Sequence, residues 1–152
     1  RDSKALSAKK REELNSFIRS ESVDFAIGRV DVEEIDRINI LEASLLAMQR
    51  AVRSLSVPLD FILVDGNRAP QFTCPSDCLV KGDTKFDAIK AASIVAKVAR
   101  DTEMCELDSQ YPGYGFAQHK GYPTPMHIEA LNKLGLCPIH RRTFAPCKNI
   151  LY

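Results

Sequence analysis

The hydrophobic positions change period along the chain. Leu14, Phe17 and Ile18 fall on one helical face, with Ser7 placed as an N-cap, so the spacing predicts a helix near the start. In VDFAIGRV (23–30) the period drops to two. Val23, Phe25 and Ile27 alternate with Asp24, Ala26 and Gly28, which predicts a strand with one buried face. Asp31 can cap a short acidic turn. Leu41, Leu45, Met48, Val52 and Leu55 then recur every three or four residues and predict a long amphipathic helix that ends before Pro58. Phe61 to Val64 is apolar without alternation, as in a strand covered by helices on both sides. Residues 66–77 are rich in turn formers and predict a loop, CLVKGD (78–83) a second short strand, and residues 87–111 an Ala-rich helix. YPGYGFAQHKGYP (111–123) is a structured loop. TPMHIEALNKLG (124–135) is a short helix capped by Thr124, with Pro125 in its first turn and Gly135 at its end.

Helices alternate with strands, so the fold class is α/β. No repeat, low-complexity segment or linker interrupts residues 1–152, which predicts a single domain of ordinary size. Three strands are few for the helical surface that needs covering.

Composition narrows the class. Apolar residues make up 45% and charged residues 27%, the balance of a globular protein. No run approaches the roughly 20 apolar residues of a membrane span, so no membrane partner is expected. No secretory signal opens the sequence, and its five cysteines are odd in number and irregularly spaced. Reduced thiols and a cytoplasmic location follow as expectations. Cys137 and His140 have the look of half a zinc site, yet no second pair with matching spacing completes it. The net charge of +1 does not by itself predict a polyanionic partner, but residues 111–152 carry Lys120, Lys133, Arg141, Arg142 and Lys148 against Glu129 alone. Such a basic segment is either solvated surface or a phosphate contact.

Two carboxylates stand out. Asp65 ends the apolar run ILVD and is followed by Gly66, and Asp83 follows Gly82 in LVKGD. In open α/β sheets, ligand sites gather at the carboxyl ends of strands. Asp65 therefore either faces such a groove or caps its own turn with Asn67. Two parallel strands ending this way would bring both carboxylates to one rim, where a divalent cation relieves their repulsion. Oxygen ligands suit Mg²⁺ or Mn²⁺. In the 111–123 loop, aromatic rings are interleaved with His119 and Lys120. Rings stack on sugars or bases and cations hold phosphates. Tyr111 and Phe116 read better as anchors of the loop to its own domain, and Tyr122, beside Lys120 and Gly121, as a surface group.

The motifs together resemble ribonuclease HII, the type 2 ribonuclease H of bacteria. The resemblance is carried by DSKALSAKKREEL (2–14), EEIDRINILEASLLAMQRAV (33–52), ILVDGNRAP (62–70), VKGD (80–83), AASIVAKVARD (91–101), YPGYGFAQHKGYPT (111–124) and IHRRTFAPCK (139–148). It implies an endonuclease that cuts the RNA strand of an RNA–DNA hybrid and incises 5′ of a ribonucleotide embedded in duplex DNA. It implies Mg²⁺ or Mn²⁺ held by four acidic residues, two of which match Asp65 and Asp83. The family's junction-sensing tyrosine matches Tyr122. Lys4 lies where the family approaches the substrate backbone, and Asp101 reads as structural; Lys120, from the loop reading, is a further expected substrate contact. The family's opening strand, with its Asp-Glu-Ala-Gly-Arg-Gly type motif and the other two ligands, has no match in residues 1–152. The implied fold is ribonuclease H-like with its first antiparallel strands missing from this stretch, and the complete protein is expected to be a monomer. The alternative is a catalytically impaired nucleic-acid-binding remnant lacking half the metal ligands. A small-molecule phosphohydrolase using the same carboxylates leaves the aromatic-basic loop without a role.

Overall fold

The structure is a computed structural model and describes residues 6–141. The fold is α/β. Six helices are described: α1 (Ala8–Glu21), α2 (Val32–Ile38), α3 (Ile40–Ser54), α4 (Asp87–Gln110), α5 (Phe116–His119) and α6 (Pro125–Leu134). Strands β1 (Ile62–Asp65) and β2 (Ser76–Leu79) form a parallel pair in the register Ile62↔Ser76 to Asp65↔Leu79. Close contacts gather the chain into two units. One comprises the described residues up to Val30 with Leu41–Val98. The other comprises Asp31–Ile40 with the described residues from Ala99 onward.

Local signals set the helix ends. The Ser7 side chain accepts the Lys10 N–H at the start of α1, Asp31 accepts the Glu34 N–H at α2, and Thr124 accepts the His127 N–H at α6. Pro125 opens α6 and Gly135 closes it. Asn39, at φ 80°, separates α2 from α3.

In the first unit the parallel pair agrees with the expectation for residues 61–64, but two other strand expectations are corrected. The second strand begins and ends earlier than CLVKGD. After Leu79 the chain turns through Lys81, at φ 55°, into a one-turn 3-10 helix at Gly82–Thr84. Val23 stands in a bend, residues 24–30 have no regular secondary structure, and the segment joins no ladder among the described residues. Side-chain ties hold this segment instead. Asp24 accepts the Ser56 N–H at 2.7 Å and its hydroxyl at 2.9 Å, and Arg50 donates to the Arg29 carbonyl at 2.8 Å. At Gly28 the backbone lies so close to α3 that a Cβ would sit 1.9 Å from the Ala47 carbonyl oxygen. The small-residue face is therefore the one pressed inward. The expected buried face is open: Val23, Phe25 and Ile27 are 90%, 38% and 40% exposed. A strand needs hydrogen-bonding neighbours, and alternation alone does not supply them.

The predicted α3 stripe is likewise only part of a closed core. Leu45 is buried and Leu41 is exposed. Met48 and Val52 line an apolar groove of about 700 Å³ along with Phe25, Ile27, Leu63 and Val95. Ala43, Val64, Ile89, Ile94 and Val95 are the other buried apolar side chains among the described residues of this unit.

The second unit has a contiguous core of Met104 from α4, Tyr114, Phe116, Ala130, Leu131 and Cys137, flanked by Leu107, Tyr111, Leu136 and Ile139. Phe116 is 1% exposed, and Tyr111 packs against the cluster, so both anchor the loop. The four described cysteines are unbridged. No described helix is long and apolar enough to cross a membrane.

Candidate active site and nucleic-acid interface

Asp65 is the last residue of β1. Its neighbour Val64 is buried while Asp65 itself is exposed. The hydrophobic run thus fixes the strand, and the strand end projects the carboxylate. Gly66 follows at φ 151°, where a side chain is rarely tolerated, and its N–H donates to the Leu79 carbonyl at 3.0 Å. The chain therefore swings away immediately after the carboxylate.

Asp65 Oδ1 accepts the Gly82 N–H at 3.0 Å. That partner is 17 residues along the chain, so the carboxylate bridges β1 to the 3-10 turn instead of capping its own loop. The next residue is Asp83, half-buried in the first turn of that 3-10 helix. The expectation of two strands each ending in a carboxylate is thus corrected at Asp83. It stands on a helical turn four residues beyond β2, and the Asp65–Gly82 bond is what keeps the two carboxylates on neighbouring backbone. One accepted hydrogen bond leaves a carboxylate further lone pairs for a cation. Among the described residues, no group of three or more His, Cys, Asp or Glu side chains is placed to hold a metal ion. Two hard oxygen ligands suit Mg²⁺ or Mn²⁺, because Mg²⁺ binds through few carboxylates and completes its shell with water and phosphate. The donor set fits such an ion in kind.

The other candidate residues lie in the second unit or outside the described residues. Tyr122 is 61% exposed, so its ring is available to a partner. Lys120 ends α5 in the left-handed region at φ 57°, and its ammonium lies 3.9 Å from Cys105 Sγ. Lys4 lies outside the described residues, as do Arg142, Cys147 and Lys148 of the basic tail. Asp101 is half-buried on α4.

A feature the sequence did not announce lies directly beneath Tyr122. The chain has three histidines, His119, His127 and His140, and all three are buried. His119 and His127 stack with ring centroids 4.0 Å apart, and Phe116 presents its ring edge-to-face to both. His127 Nε2 and His140 Nε2 are 2.8 Å apart. His140 Nδ1 accepts the Cys137 N–H at 3.0 Å and lies 3.2 Å from Cys137 Sγ. Cys137 and His140, the would-be zinc half-site, thus bond to each other. Burial pushes His140 down to about 4, and repulsion from His127 and His119 adds to it. Burial also lowers His127, with His119 contributing, and burial raises the Cys137 thiol. The available signal was the confinement of every histidine to residues 119–140, which becomes meaningful only once the fold closes that span.

The match to known proteins covers nearly the whole chain. Residues 1–147 match the family model for ribonuclease HII. Among solved structures, the ribonuclease H2 from Pyrococcus horikoshii OT3 is similar at a TM-score of 0.80 and 29% sequence identity. That alignment covers 97% of this chain and 77% of the other. The chain belongs to the ribonuclease HII family of ribonuclease H enzymes.

Proposed function

We propose that the chain is the metal-dependent endonuclease implied by its motifs, cutting the RNA strand of RNA–DNA hybrids and incising 5′ of single ribonucleotides in duplex DNA. The observation that carries this reading is Asp65, exposed at the carboxyl end of β1 and hydrogen-bonded to the turn that bears Asp83. Asp65 and Asp83 would be the metal ligands contributed by this unit. A bound Mg²⁺ or Mn²⁺ supplies activation of water and charge stabilisation at the scissile phosphate. The side chains hold the ion and leave the nucleophilic role to water. Asp65, already anchored by Gly82, is held for that task before any ion arrives.

Tyr122 offers its exposed ring for stacking on a sugar or base, and Lys120 and Lys4 offer cations to the phosphate backbone. The test is Mg²⁺-dependent incision of a duplex carrying one ribonucleotide, with products mapped on a sequencing gel. Cleavage on the 5′ side of the ribonucleotide, absent from an all-DNA duplex, supports the reading. Binding of the duplex without any incision would favour a nucleic-acid-binding role.

A further inference from the structure

The three histidines have no part in the chemistry just described, yet their hydrogen bonds run to the backbone of the loop that carries Tyr122. The partners determine the tautomers. The Cys137 N–H donates to His140 Nδ1, so the His140 proton is on Nε2, where it donates to His127 Nε2. His127 Nε2 is then an acceptor, and its proton is on Nδ1, where it donates to the Tyr122 carbonyl at 2.9 Å. On the other side, the Gly121 N–H donates to His119 Nδ1 at 3.0 Å, and His119 Nε2–H donates to the Tyr114 carbonyl at 2.6 Å. The Tyr122 N–H donates to the His119 carbonyl at 3.0 Å. All six ring nitrogens have a partner, with donors and acceptors matched throughout in these tautomers.

We propose that His127, oriented by His140 and stacked on His119, is a positioning residue that fixes the backbone of Tyr122 and so aims its exposed ring at the nucleic-acid substrate. The backbone needs such support. Lys120 and Gly121 are both left-handed, at φ 57° and 88°, and Tyr122 is followed by Pro123. This is a sharply turned segment with little regular structure of its own. The inference rests on the reading of Tyr122 as a substrate contact.

A proton added to His140 Nδ1 would face the Cys137 N–H, and one added to His127 Nε2 would face the His140 N–H, so neither of these rings accepts one without breaking a bond. Titratable and charged groups beside the rings include Cys137, Tyr114 and the adjoining Arg141 at His140, Lys120 beside His119, and Arg100 of α4, whose guanidinium lies near Gly121. None of these is a carboxylate that would favour a protonated ring.

The test combines two measurements on the full chain. Long-range ¹H–¹⁵N NMR at pH 6.5 reads the tautomers directly. The inference requires neutral His127 protonated on Nδ1, with His119 and His140 protonated on Nε2. His127 found as an Nε2–H tautomer or as an imidazolium would overturn it. Fluorescence anisotropy with a labelled RNA–DNA hybrid, in EDTA so that metal binding plays no part, then reads the loop. Tyr122→Ala and His127→Phe should each weaken binding by about tenfold, the scale of one lost stacking contact. The double variant should lose little more than either alone, because both remove the same contact. His127→Asn, whose side-chain amide can still donate to the Tyr122 carbonyl, should recover part of the loss. It also carries the test if His127→Phe does not fold. Weakened binding by Tyr122→Ala with unchanged binding by both His127 variants defeats this inference alone. Unchanged binding by Tyr122→Ala removes the substrate reading of Tyr122, and the inference with it.

Discussion

Acid should weaken the second unit before carboxylates become protonated in bulk, and His140 sets the size of the effect. The folded chain holds His140 at about 4, against an ordinary value of 6.5. A base whose value falls on folding binds fewer protons folded than unfolded. Stability is therefore whole above about pH 6.5, declines as the pH drops below it, and levels off near pH 4. The gap between the two values is worth about 3 kcal/mol in all, of which about 2 kcal/mol is lost by pH 5. His127 is lowered as well and adds in the same direction. Against a domain stability of roughly 5–15 kcal/mol, this is a large fraction. The assay is urea unfolding at pH 7.5 and pH 5.0, followed by tyrosine fluorescence. The chain has no tryptophan, and the described tyrosines, Tyr111, Tyr114 and Tyr122, all belong to this unit. His140→Gln, which cannot protonate, should start lower but show a much flatter dependence on pH. Equal wild-type stability at the two pH values, or an equally steep loss in His140→Gln, would refute the account of the cluster as a closed neutral network.

Two further predictions concern packing and capping. Gly28→Ala places a methyl 1.9 Å from the Ala47 carbonyl oxygen and 2.6 Å from the Ala51 nitrogen, both backbone atoms that cannot step aside. It should destabilise the first unit by about 2–3 kcal/mol or more, read as lost hydrogen-exchange protection in α3, and protection at the wild-type level would contradict the close approach. Thr124→Ala removes the oxygen that accepts the His127 N–H at 3.2 Å, and should cost about 1 kcal/mol in urea unfolding.

What was legible in the sequence depended on how far each signal reaches. Ser7, Asp31, Thr124, Pro125 and Gly135 act within one turn of themselves, and each marks a helix end where expected. Asp65 was legible because a four-residue apolar run fixes a strand and its last position together. Residues 23–30 show the limit. Their alternation describes which side chains share a face, but strand formation and the choice of the inner face depend on neighbours. In this chain the absence of a side chain at Gly28 decides the second. Asp83 follows the Gly82 that Asp65 contacts, but it stands on a 3-10 turn and not at the expected strand end, because a left-handed Lys81 ends the extended chain first. The histidine cluster was legible only as the confinement of all three histidines to residues 119–140. Its members are 8 and 13 residues apart, no period links them, and only the closure of α6 and the following turn over α5 brings their rings together.

The central claim is that the Asp65 carboxylate holds the metal ion of a ribonuclease H. The most direct measurement is the rate of Mg²⁺-dependent cleavage of an RNA–DNA hybrid by the wild-type chain and by Asp65→Asn at equal concentrations, with folding checked by circular dichroism. Asp65→Asn keeps an oxygen that can accept the Gly82 N–H but removes the charge. A folded Asp65→Asn that cleaves at least about 100-fold more slowly than the wild type agrees with a lost ligand charge. A folded Asp65→Asn that cleaves at the wild-type rate would contradict it.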